Sequence, residues 1–124
     1  MLKRKILFNV INVIFVILYL YPGSIIGFLI YGDINKQPQL TGDFIVSSNH
    51  LYAFLVLSVV GLFAYYRSKK IFILNYLILA SIIFEILHLI IPNRSFQFSD
   101  LFGNVAGVFI SIFILMLLDY WRKK

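Results

Sequence analysis

Five polar residues, Glu85, His88, Arg94, Asp100 and Asn104, fall in the stretch EILHLIIPNRSFQFSDLFGN, on either side of a break at Pro92. A sixth, His50, opens an earlier apolar run. These residue types can do chemistry together. Glu85 and His50 are the candidate catalytic pair: a carboxyl can act as general acid or base, and an imidazole carries a proton near neutral pH. Arg94 offers a planar fork of donors for a phosphate or carboxylate. Asp100, Asn104 and His88 are placed to orient that anion or the guanidinium, and with Arg94 form the candidate substrate-binding set. Ionisable groups in or beside a membrane helix are costly, so they mark a functional site by default.

The rest of the chain must hold these groups in lipid. Of 124 residues, 61% are hydrophobic and 13% charged, with mean hydropathy +0.94. A soluble domain carries about 25% charged residues, so there is too little polar sequence here to cover a globule. The length suits one domain over residues 1–124. The absence of cysteine removes disulfides and thiolate chemistry. The net charge of +6 is gathered in Lys3-Arg4-Lys5, Arg67 with Lys69-Lys70, and Arg122-Lys123-Lys124. Beside apolar runs such clusters act as topology signals, and no nucleic-acid partner is implied. Residues 1–22 are read as a retained span, because Tyr19-Leu20-Tyr21-Pro22 is a poor cleavage site for a signal peptide.

About 20 apolar residues cross the hydrocarbon core. Four runs approach this: 6–21, 51–66, 71–91 and 101–118. The expected fold is therefore all-α, a polytopic membrane protein built as a four-transmembrane-helix bundle. Residues 25–31, after Pro22-Gly23, either extend the first span with a kink or lie in the interface. Tyr19, Tyr21, Tyr31, Tyr65, Tyr66, Tyr120 and Trp121 lie near the ends of the runs, as an aromatic belt would. With four spans, nine of the eleven basic residues share one side, leaving only Lys36 and Arg94 opposite. The positive-inside rule then puts both termini in the cytoplasm and the 32–48 and 92–100 loops outside. The third run can carry Glu85: its Leu, Ile and Phe residues are together worth roughly −5 to −9 kcal/mol, against about +2.5 to +3.5 for one central acid.

This topology places all six polar residues in one leaflet. Glu85 and His88 share a helix face, as do Asp100 and Asn104. Glu85 lies about 9 Å deep and Asn104 about 6 Å below Asp100, so the groups can meet. Gly103, Gly107 and Ser111 form a small-xxx-small packing ladder, with the third span as its expected neighbour across the short loop. A purely structural clamp is the alternative: Glu85 paired with Arg94, Asp100 capping the last helix, and Asn104 bridging helices.

Glu85, Pro92, Arg94, Asp100, Asn104 and Gly107, in this order and spacing, resemble the VanZ-like family, whose pattern looks like E-x-x-Q, P-x-R, a Ser-rich loop with Asp, then N-x-x-G. Ser48-Asn49-His50-Leu51-Tyr52-Ala53-Phe54 is similar to its D-K-x-x-H-F segment. The likeness covers about residues 45–118. His88 stands where the family usually has Gln, and Val46-Ser47 where Asp-Lys is typical. The family is named for teicoplanin resistance, and the resemblance implies a cell-envelope role at the bacterial plasma membrane.

Two functions of different class follow. One is a binder or enzyme for an anionic, lipid-linked envelope substrate at the extracytoplasmic face. The other is a non-catalytic scaffold or accessory subunit that associates with a partner or itself through the glycine ladder and its apolar lipid-facing surfaces. A metal site of His50, Glu85 and His88 is a lesser option, since ligand types alone do not make a site, and no cofactor is expected. One polar cluster on one side leaves no polar path for a channel or transporter.

Overall fold

The computed structural model describes residues 1–124 and is all-helical. Its elements are α1 (Leu2–Leu20), α2 (Ile25–Tyr31), α3 (Ser48–Tyr65), α4 (Lys70–Leu87) and α5 (Phe98–Arg122). Three of them, α3, α4 and α5, are long and apolar enough to cross a membrane, with mean hydropathies of 1.4, 2.0 and 2.5. α1 and α2 meet that test only as a pair, which is bent by 82°, so the spans number three, or up to four if the bent pair counts as one.

The bend answers how residues 25–31 continue the first run: as a separate helix turned across it. The chain leaves α1 through Tyr21-Pro22-Gly23, and Gly23 takes φ 140°, a value only glycine adopts freely. Ser24 then caps α2, its hydroxyl accepting from the Gly27 amide at 2.9 Å. Gly32 ends α2 in the left-handed conformation at φ 67°. α4 stops earlier than the apolar run does. After Leu87 the backbone tightens into three-residue turns, with the His88 amide donating to the Glu85 carbonyl, and Pro92 closes the segment.

Phe54, Leu57, Ile73, Leu77 and Val108 are fully buried and define a core between α3, α4 and α5, with Phe8 of α1 packed on it. The tightest contact joins α5 to α3. A Cβ on Gly107 would stand 2.6 Å from the Leu51 carbonyl oxygen and 2.8 Å from the Leu55 nitrogen, and one on Gly103 2.7 Å from the Ser47 carbonyl oxygen. Ser111 continues the line, donating to Leu55 O at 3.2 Å and Gly107 O at 2.9 Å. The small-residue ladder therefore packs against the second apolar run, not the third as expected from the short loop. The loop does bring α5 beside α4. Register decides which face each neighbour receives, and α5 turns Asn104, not its glycines, toward the Ser81 carbonyl of α4.

Candidate functional site

The C-terminus of α1, the N-terminus of α3, the C-terminus of α4 and the N-terminus of α5 meet at one end of the bundle. At their centre is Tyr19. Its hydroxyl donates to Glu85 Oε2 at 2.6 Å, accepts from Asn104 Nδ2 at 2.7 Å and lies 2.9 Å from His50 Nδ1. Its ring stacks on His88, with centroids 4.7 Å apart and planes 17° apart. The run-end spacing predicts Tyr19 in an interfacial belt with Tyr21, Tyr31, Tyr65, Tyr66, Tyr120 and Trp121. Tyr65 and Tyr66 are half-buried and the other four exposed, whereas Tyr19 is 9% exposed and joins all the long helices. The spacing of aromatic residues at run ends carries no sign of which one turns inward.

Glu85 is fully buried. Besides Tyr19 it accepts the Gln97 amide at 3.1 Å, at the entry of α5, where the helix dipole favours an anion. Oε2 also lies 3.3 Å from His88 Nδ1. His88 turns its other nitrogen to the Tyr19 carbonyl at 2.8 Å, so both ring nitrogens face acceptors. The expected Glu85–Arg94 pair is not formed, and Asp100 does not cap α5: Gln97 holds the cap position without a side-chain bond. Asp100 faces His50 instead, Oδ2 to Nε2 at 3.5 Å.

Hydrogen-bond direction fixes the His50 ring. Asn104 Nδ2 donates to the Ser81 carbonyl at 3.1 Å and to the Tyr19 hydroxyl, so its Oδ1 is the end facing His50 Nδ1, at 3.0 Å. Tyr19 spends its own proton on Glu85. Both atoms opposite Nδ1 are thus acceptors there, and Nδ1 carries a hydrogen. The second nitrogen, Nε2, is turned toward Asp100.

Arg94 works mainly on backbone. Nε donates to Tyr21 O at 2.9 Å, and Nη2 to Gly23 O at 2.7 Å and Leu18 O at 3.1 Å. These carbonyls belong to the end of α1 and its bend, where a helix leaves acceptors unmet and favours a cation. Only Nη1 is loosely engaged, 3.4 Å from Gln37 Oε1. Burial pulls the Arg94 pKa below its ordinary value, partly offset by Tyr19, Glu85 and Asp100 nearby. A guanidinium stays charged all the same.

Beside this network lies a cavity of about 660 Å³. Phe15 and Leu18 of α1, Ile26 and Ile30 of α2, and Ala53 and Val56 of α3 give it apolar walls. Tyr19, His50, His88 and Arg94, with Gln37, Gln39 and Asn49, give it polar ones. The structure therefore brings all six expected site residues to one end but divides them. His50, His88 and Arg94 reach the cavity, while Glu85, Asp100 and Asn104 stand behind and orient the others.

No family model matches the chain, and neither does any curated protein or solved structure.

Proposed function

We propose that this chain is a four-span plasma-membrane protein that captures the headgroup of an anionic, lipid-linked envelope molecule at its extracytoplasmic face. The observation that carries the reading is the division of the cavity into apolar and polar walls. A chain can lie along Phe15, Ile30 and Val56 while a polar group meets His50 and the loosely engaged edge of Arg94. A volume of about 660 Å³ lies within the usual range for small-molecule sites, roughly 300–1,000 Å³.

The orientation rests on charge. The three basic clusters gather at the end of the bundle opposite the site, and the positive-inside rule assigns that end to the cytoplasm. The resemblance to VanZ-like proteins, through Glu85, Arg94, Asp100, Asn104 and His50, supports an envelope role for the same residues. Of the two candidate acid–base groups, His50 can touch a bound headgroup, and Glu85 acts through Tyr19 and His88. Of the surfaces the scaffold reading would use, the ladder of Gly103 and Gly107 is covered by α3, which leaves it the outward apolar faces of the helices.

The test is lipid analysis of protein purified in native membrane extract. Mass spectrometry should find anionic lipid-linked species enriched over the bulk membrane, and Ala53→Phe, which fills the cavity from a small wall residue, should remove that enrichment. Bulk composition in the wild type, or enrichment unaffected by the filled cavity, counts against the proposal.

A further inference from the structure

We propose that His50, Asp100 and Glu85 form a binding site for a divalent transition cation of the zinc or manganese class. The site joins His50, which reaches the cavity, to Asp100 and Glu85 behind it, and its test does not depend on a bound lipid. One ligand atom from each of the three residues lies within 4.8 Å of the others.

The His50–Asp100 spacing is the decisive measurement. With a hydrogen on Nδ1, His50 turns Nε2 toward the Asp100 carboxylate at 3.5 Å. Two ligands each about 2.1 Å from one ion, at a tetrahedral angle, stand about 3.4 Å apart. The observed spacing fits two ligands on a shared ion.

The surroundings match what an ion of this kind requires. A metal-ligating histidine usually donates its other ring nitrogen to a fixed acceptor, and His50 Nδ1 faces Asn104 Oδ1 and the Tyr19 hydroxyl. Glu85 has three partners, Tyr19, the Gln97 amide and His88. A carboxylate offers about four lone-pair sites, so one remains for a metal. Charge agrees as well. Two carboxylates sit at the end of a bundle whose nearest guanidinium is spent on carbonyls, and no Lys or Arg pairs with either. A mixed imidazole–carboxylate set suits zinc or manganese better than calcium or magnesium, which prefer oxygen alone. The set differs from the one the sequence suggested: Asp100 replaces His88, whose Nε2 is held by the Tyr19 carbonyl.

The experiment uses the full chain without a polyhistidine tag, purified in detergent, stripped with chelator, exposed to Zn²⁺ or Mn²⁺, desalted and analysed for metal. The wild type should retain about one ion per chain, and His50→Gln and Asp100→Asn should each hold at least about fivefold less. Stoichiometric metal should also raise the Tm of the stripped wild type, a reading that needs no variant. Less than about a tenth of an ion per chain with both metals, wild-type retention in both variants, or an unmoved wild-type Tm overturns the site.

Discussion

Both ends of the bundle tie helices together with a tyrosine and an asparagine, and they do so differently. At the end carrying the basic clusters, Tyr76 donates to Asn12 at 2.6 Å and Tyr65 to Asn9 at 3.2 Å. Phe8 packs edge-on against both rings, and a small cavity of about 110 Å³ lies among them. Each bond is neutral, joins two helices and ends there. At the other end, Tyr19 of α1 serves Glu85, Asn104 and His50 at once, from three further helices, beside a cavity six times larger. A tyrosine–asparagine bond is evidently enough to fasten two helices. The carboxylates and imidazoles around Tyr19 go beyond fastening, and their desolvation is a cost that packing alone does not require.

The largest effect should come from the surface that holds the site end together. Gly107→Leu would drive a side chain into the backbone of α3, and a loss of more than about 3 kcal/mol is expected. Size-exclusion and thermal unfolding in detergent should show little folded monomer. A stable, unaltered monomer would mean that α3 and α5 are not packed as described.

Arg94→Lys should lose about 2–3 kcal/mol, nearly as much as Arg94→Ala, because a point charge cannot meet three carbonyls set around a planar fork. Limited proteolysis should show new cutting near residues 20–24. If lysine restored wild-type stability, the guanidinium would be acting as a charge alone and not as the pin of the α1 bend.

Tyr19→Phe and Tyr76→Phe sharpen the comparison directly, since each removes one hydroxyl. The first leaves Glu85 and Asn104 short of a buried partner and should cost about 1–3 kcal/mol. The second breaks one interhelical bond, for about 0.6 kcal/mol, the typical worth of such a bond in lipid. Thermal unfolding of the pair measures both. Equal losses would erase the distinction between the two ends. Tyr76→Phe should also leave lipid and metal content unchanged, whereas Tyr19→Phe should lower both.

Much of this was legible in the residues. The apolar runs gave the helices to within a few residues, because a chain with so little polar surface has few other ways to satisfy its backbone in lipid. The order of the runs put His50, Glu85, Asp100 and Asn104 at one end of the bundle, opposite the clusters of Lys and Arg. Packing decided the rest. Tyr19 and Tyr21 are two residues apart at the end of one helix, and only the neighbours that α1 meets make one a buried hub and the other an exposed ring. Arg94 found backbone carbonyls at a bend, and those partners have no signature in side-chain types. The neighbour of Gly103 and Gly107 depended on how α5 is rotated about its axis, which a small-residue ladder leaves open. Residue types and their order are local properties and can be read along the chain. Which group faces which across a bundle depends on helix rotation and bend angle, and those are settled only when every helix packs at once.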